Sequence, residues 1–155
     1  MISKAYLDSN ILIAEYFESH TNHKNADKLL LQLNKQRYQI CLSPLTFDEF
    51  WYGIIFTRRA NDENLFHKPY KYFVNELKTA TNKLLQLNVE IMKFIDHRVA
   101  ISHSLKNIKK YNLKPRDAFH LSYCLENKIQ VFVTLDSDFQ KLKIPEIRVM
   151  SYSDL

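Results

Sequence analysis

The sequence predicts an α/β protein: a single domain, residues 1–155, with a mostly parallel central sheet flanked by helices on both faces. Two observations carry that expectation. Short apolar strand-like runs alternate along the chain with segments of 3.6-residue periodicity, the pattern of strands joined by crossover helices. The strongest strand, Ile129-Gln130-Val131-Phe132-Val133, is close to a continuous apolar run, as expected when helices cover both faces of a parallel sheet. The 155 residues, 46% hydrophobic and 25% charged, suffice for one globular domain, and no repeat, low-complexity tract or linker divides them.

Taken in order, Ala5-Tyr6-Leu7 is a short apolar strand ending at Asp8, and Ser9-Asn10-Ile11-Leu12-Ile13-Ala14 turns into a helix. Asn22 is placed to cap a second helix, whose Ala26, Leu29, Leu30 and Leu33 fall on one face. Ile40-Cys41-Leu42 reads as a buried strand, and Ser43-Pro44 supplies a cap and first-turn proline for a helix to about Arg59. Residues 58–68 read as a polar loop, and Tyr70, Phe73, Val74, Leu77 and Leu84 return to the helical period. Val89-Glu90-Ile91-Met92 is a further strand. Phe94, Ile101, Leu105 and Ile108 mark the inward face of a helix whose other faces are basic. Pro115 opens another, with Ala118, Leu121, Ser122 and Leu125 inward, and Ile147-Arg148-Val149-Met150 alternates like an edge strand.

Composition excludes several classes of function. No apolar run approaches the ~20 residues of a membrane-spanning helix, and Met1-Ile2-Ser3-Lys4-Ala5-Tyr6-Leu7-Asp8 meets a carboxylate too soon to read as a signal peptide. Cys41 and Cys124 lie among apolar residues, as reduced core thiols of a cytoplasmic protein do. The single glycine, Gly53, rules out Gly-rich phosphate loops. A net charge of +5 mildly favours a polyanionic partner. Between residues 97 and 116 there is no acid, while Arg98, Lys106, Lys109, Lys110, Lys114 and Arg116 are present.

Sites in such sheets form beyond the carboxyl ends of the strands. Asp8 follows the first strand, and Asp136 follows Val131-Phe132-Val133-Thr134-Leu135, which puts both carboxylates on one rim. Glu49 stands about a turn and a half into the helix that Pro44 opens, and Asp117 lies in the first turn of the helix after Pro115. Singly, each has an ordinary reading: Asp8 as a cap, Asp136 and Asp138 as turn residues, Asp117 as a helix-end charge, Glu49 as a solvated side chain. Four crowded carboxylates, however, repel one another unless a cation neutralises them. Oxygen ligands without His or Cys suit Mg²⁺ or Mn²⁺.

On these residues the sequence resembles the PIN-domain ribonucleases, and among them the VapC-like toxins of toxin–antitoxin pairs. The matching segments are Tyr6-Leu7-Asp8-Ser9-Asn10-Ile11-Leu12, Leu42-Ser43-Pro44-Leu45-Thr46-Phe47-Asp48-Glu49-Phe50, Leu113-Lys114-Pro115-Arg116-Asp117-Ala118-Phe119-His120-Leu121, and Val133-Thr134-Leu135-Asp136-Ser137-Asp138-Phe139. They stand in family order over nearly the whole chain. The resemblance implies a divalent-metal ribonuclease with Asp8, Glu49, Asp117 and Asp136 as its catalytic, metal-holding set. Asn10 and Thr134 match supporting polar positions, and Asp138 a more variable, peripheral acid. Spacing does not decide between Asp48 and Glu49; the family pattern favours Glu49. Residues 57–83 exceed the compact toxins in length, which leaves substrate choice and partner contacts open. The resemblance also implies a cognate antitoxin and a homodimer.

On this reading Asp8 and Asp136 hold Mg²⁺ directly, with Glu49 and Asp117 acting through water or on a second ion, for hydrolysis of RNA phosphodiesters. Lys106, Lys109, Lys110, Lys114 and Arg116 are the candidate RNA contacts, joined by Arg58 and Arg59. Tyr70, Tyr72 and Tyr111 are candidates for base stacking, though such tyrosines more often pack at a helix edge. His20, His23, His97 and His103 lack a zinc-site pattern. His120 is placed to reach the site but is read as a histidine at the edge of the core. Asp136-Ser137-Asp138 is a poor match to aspartyl-nucleophile phosphatases, because Gln140 stands where they carry Thr. The competing class is a non-catalytic RNA- or protein-binding module on the same fold, which nothing in the four acids calls for.

Overall fold

In the computed structural model, which describes residues 3–94 and 96–154, the strand Lys4–Leu7 (β1) lies at the centre of a sheet. Gln39–Leu42 (β2) and Glu90–Ile91 (β3) continue the sheet on one side, and Val131–Val133 (β4) and Arg148–Met150 (β5) on the other. The order is β3-β2-β1-β4-β5 and every pairing is parallel. Met1 and Ile2, on which the amino-terminal reading partly rests, lie outside the described residues.

The two-residue alternation of a strand sorts side chains into two cores. Ala5 and Leu7 join Leu42, Val131 and Val133 beneath the helices Ser9–Tyr16 (α1), His23–Lys35 (α2), Pro44–Asn61 (α3) and Val74–Leu85 (α4). Tyr6, Cys41 and Phe132 face the other way, against Pro115–Glu126 (α6) and Ser137–Gln140 (α7), with His97–Tyr111 (α5) packed outside α6. Tyr6 and Phe132 sit in register on neighbouring strands with rings 5.6 Å apart and nearly parallel. Gly53 marks a close approach of α3 to α1: a Cβ there would collide with the side chain of Ile13. Both cysteines are free and buried, and burial pushes the Cys41 thiol up to about 12. No described helix is long and apolar enough to cross a membrane.

The start of α3 was legible in Ser43-Pro44. Ser43 Oγ accepts from Thr46 N–H and Thr46 Oγ1 from Ser43 N–H, each at 3.2 Å, a reciprocal capping box. Other boundaries differ from expectation. Asn22 occupies the cap position of α2 but makes no side-chain capping bond. Residues 58–68 are not all loop: α3 continues to Asn61 and a 3₁₀ turn spans Glu63–Leu65. The helix expected from Tyr70 begins as a 3₁₀ turn, Tyr70–Phe73, before α4, and the strand expected over residues 89–92 pairs only at Glu90–Ile91.

The largest correction concerns α5. Phe94 precedes it, and Ile101 and Leu105, expected inward, are 53% and 63% exposed. The buried face is Ala100, Ser104 and Asn107, because α5 packs on α6 through hydroxyls and an amide. Ser122 Oγ lies 2.9 Å from Ser104 Oγ, accepts from Asn107 Nδ2 at 3.1 Å and donates to Ala118 O at 2.9 Å. The pairing of Asn107 with Ser122, and of His103 with Glu126 at 3.7 Å, makes α5 antiparallel to α6. The last turn of α5, with Lys109 and Lys110, therefore lies at the same end as the first turn of α6.

Candidate metal centre

Sheet order reverses between β1 and β4, and the crevice beyond their carboxyl ends is where α/β sheets place their sites. Asp8 stands there directly after β1, its backbone N–H bonded to Val133 O at 3.0 Å. It is the residue before α1 but caps nothing with its side chain; the carboxylate is turned to other donors. Oδ2 accepts from Thr134 Oγ1 at 2.6 Å and from Asn10 Nδ2 at 2.7 Å. Asn10 also donates to Thr134 Oγ1 at 3.1 Å and accepts from Leu135 N–H at 3.1 Å. The two polar positions expected to support the acids thus grip one oxygen of Asp8 and tie α1 to the chain after β4.

Glu49 reaches the same place from α3. Its Oε2 accepts from Ser9 Oγ at 2.9 Å and lies 2.8 Å from His120 Nε2, while Oε1 faces Arg116 at 3.8 Å. Asp8, Glu49 and His120 each offer a possible ligand atom, all within 4.8 Å of one another. Asp48 points elsewhere, exposed and 3.8 Å from Arg116.

Asp117, in the first turn of α6, and Asp136, capping α7, stand close enough to interact electrostatically with this group, although they lie outside that tightest cluster. Burial pushes the Asp117 carboxyl up to about 6, with the charges of Asp136 and Asp8 adding to the effect. Asp8 is raised too, by burial first and by the charge of Glu49, against the hydrogen bond from Thr134. Burial would raise Glu49 as well, but His120, Ser9 and Arg116 outweigh it and hold that carboxyl below its ordinary range. Asp136 Oδ1 accepts from Asp138 N–H at 2.7 Å, and its own N–H donates to Thr134 Oγ1 at 3.0 Å. Asp138 is exposed and 3.6 Å from Lys141, a peripheral acid.

The group therefore holds more negative charge than the neighbouring Arg116 offsets, and its donors are carboxylate oxygens with one imidazole, that of His120. That chemistry fits a hard divalent cation. Three members were not assigned a role from the sequence: Ser9, which donates to Glu49, Tyr6 and His120. Tyr6, fully buried, directs its hydroxyl to Ser43 Oγ, to Thr46 Oγ1 at 2.8 Å and to His120 Nδ1 at 2.7 Å. His120 is 1% exposed and lies at the centre of the polar group, not at the margin of the core. The only signal for it was its place one turn beyond Asp117.

Lys106, Lys109, Lys110, Lys114 and Arg116 are exposed, and the last four stand at the α5–α6 end shared with Asp117. Arg59 and Lys68 lie over the rings of Tyr70 and Tyr72 at 4.8 and 5.4 Å, so these rings are engaged within the chain. Arg58 pairs with Glu76 at 2.8 Å, fastening α4 to the end of α3 within the region of residues 57–83.

A family model described as the PIN domain matches residues 5–145. Ribonuclease VapC6 of Methanocaldococcus jannaschii is 26% identical over 155 residues, covering 94% of this chain and 96% of that protein. Among solved structures, VapBC2 of Rickettsia felis, bound to a DNA fragment from its promoter, superposes with a TM-score of 0.63 at 16% identity, over 97% of this chain and 98% of its own. VapC20 of Mycobacterium tuberculosis, a toxin that cleaves the sarcin-ricin loop, gives a TM-score of 0.64 at 15% identity, covering 94% of this chain and 99% of its own.

Proposed function

The chain belongs to the PIN domain family, and on that premise we propose that it is a Mg²⁺- or Mn²⁺-dependent ribonuclease of the cytoplasm, the toxin of a toxin–antitoxin pair. One observation carries the reading. Asp8 is buried at the switch point of the sheet with Asn10 and Thr134 fixed on one of its oxygens, and Glu49, Asp117 and Asp136 gather around it. A fold alone needs no such collection of like charges. The similarity to a ribonuclease covered over 96% of its length supports the reaction class, and the likeness to a toxin–antitoxin complex from Klebsiella pneumoniae, with a TM-score of 0.60 at 21% identity, supports a cognate antitoxin as partner.

Asp8, Asp136, Asp117 and Glu49 would hold the ion. When bound, a divalent ion supplies Lewis-acid charge at the scissile phosphate and lowers the pKa of bound water. The chain's own contribution is placement. Thr134 and Asn10 hold Asp8 by Oδ2, while its other oxygen lies 3.4 Å from Ser9 Oγ, and Ser9 and His120 hold Glu49 by Oε2. Acids repel a polyanion, so the exposed Lys109, Lys110, Lys114 and Arg116 beside Asp117, with Lys106 further along α5, draw the RNA backbone to the rim. The homodimer that the family resemblance implies remains part of the proposal.

RNA cleavage by the purified chain tests this. Cleavage should require Mg²⁺ or Mn²⁺, stop with chelator, and be lost in Asp8→Asn and Asp117→Asn. Cleavage indifferent to chelator and to both substitutions would reject it. RNA binding without cleavage under any divalent ion would favour a binding module.

A further inference from the structure

The chain of hydrogen bonds running from the start of α3 to Glu49 has a direction, and it is set at the Glu49 end, where an ionised carboxylate can only accept. Ser43 Oγ and Thr46 Oγ1 already accept the N–H groups of Thr46 and Ser43 in the capping box, so each hydroxyl retains its own proton to donate. Both hydroxyls lie against the Tyr6 oxygen, which has two lone pairs and one proton. The two hydroxyls also lie 3.1 Å from each other, so the direction is set at the far end of the chain: with a bare Nδ1 on His120, at 2.7 Å, the Tyr6 proton is donated to the ring. A neutral imidazole that accepts at Nδ1 carries its proton on Nε2. Nε2 lies 2.8 Å from Glu49 Oε2, so that proton is donated to the carboxylate. Every group in the sequence is satisfied, and Tyr6, whose phenol burial pushes well above its ordinary pKa, stays a neutral donor.

We infer that His120 is a positioning residue, held between Tyr6 and Glu49 in the tautomer that donates to Glu49, and does not itself ligate the metal. The inference rests on the metal-dependent reading above and extends it. Both ring nitrogens are committed to protein partners, which leaves none for an ion. Ser9 and His120 together occupy Glu49 Oε2, leaving Oε1, which faces the exposed Arg116 at 3.8 Å, as the oxygen for a cation. The arrangement is the carboxylate counterpart of the outer partners that orient metal ligands elsewhere, whose loss typically costs about 10- to 100-fold in metal affinity. It also joins the cap that starts α3 to the acid a turn and a half into the same helix, by a path through β1 and α6.

The test uses the full chain and Mn²⁺ alone. Nitrogen-15 NMR of the metal-free protein should find His120 Nδ1 unprotonated and Nε2 protonated, with that preference weakened in Tyr6→Phe. Calorimetric titration with Mn²⁺ should give about 10- to 100-fold weaker binding in His120→Ala. His120→Gln, whose amide N–H falls near the position of Nε2, should recover most of it. Adding His120→Ala to Glu49→Gln should cause no further loss, an outcome that a general packing role for His120 would not produce. A proton on Nδ1, no recovery in His120→Gln, or an undiminished loss in the Glu49→Gln background overturns the relay. Asp8→Asn separates this from the underlying reading: binding that depends on Asp8 but not on His120 rejects only the relay. Binding indifferent to Asp8, or absent in the unaltered chain, rejects the metal centre and the relay with it.

Discussion

The hydroxyl of Thr134 donates to Oδ2 of Asp8 at 2.6 Å across the switch point of the sheet. Thr134 also accepts from the Asn10 amide and from the Asp136 backbone N–H, so one buried oxygen coordinates the ends of β1 and β4. Thr134→Val keeps the shape and removes all three bonds. With Asn10 still donating to Asp8, the expected cost is about 1–3 kcal/mol of stability, read by urea denaturation, with Mn²⁺ affinity reduced about 10-fold or more. Unchanged Mn²⁺ affinity would mean that Thr134 only secures the sheet.

The Asp117 carboxyl, raised to about 6 by burial and by Asp136 and Asp8, sets a pH dependence of definite sign. In the metal-free protein the folded state holds this proton when the unfolded chain, at the ordinary carboxylate pKa of about 4, has released it. Its contribution to stability is therefore greatest below pH 4 and is lost as pH rises through 6. Asp8, raised for the same first reason, adds in the same direction. Glu49, held low, acts oppositely, its contribution being lost as pH falls through its depressed pKa. Melting of the metal-free chain between pH 4 and pH 7 should show a downward component that Asp117→Asn removes and that saturating Mn²⁺ reverses at pH 7.

The exposed cations at the α5–α6 end should act on RNA and not on the metal. The triple variant Lys109→Gln, Lys110→Gln, Lys114→Gln should bind RNA more weakly and reduce the salt slope of binding by about 2, given roughly 0.7 per single-strand phosphate contact. Its Mn²⁺ affinity should be unchanged. An unaltered salt slope would place the RNA track elsewhere.

The polar packing of α5 on α6 makes a prediction about stability alone. Ser122→Ala leaves Asn107 buried without its partner, at a cost of about 1–3 kcal/mol. A fall in melting temperature of roughly 2–4 °C per kcal/mol follows for a chain of this size. Metal-dependent cleavage per folded molecule should be unaffected.

The parallel sheet and the rim position of Asp8 and Asp136 were legible because they rest on two strong signals: apolar strands covered on both faces, and a carboxylate placed directly after each. Asn10 and Thr134 were legible through family resemblance; spacing alone says nothing of which oxygen they grip. The inward face of α5 was misread because periodicity counts apolar residues, and this interface is built from Ser104, Asn107 and Ser122 while Ile101 and Leu105 face outward. Tyr6 and His120 were passed over for a related reason. A tyrosine in a strand and a histidine in a helix look like core filling until tertiary structure brings their polar atoms together, and no local pattern encodes that meeting.

Anomalous diffraction from crystals soaked in Mn²⁺ tests the central claim most directly. The account predicts a peak in the crevice beyond β1 and β4, within coordination distance of Asp8, lost in crystals of Asp8→Asn. A saturating soak with no density at Asp8, or with density only at other carboxylates, would contradict it.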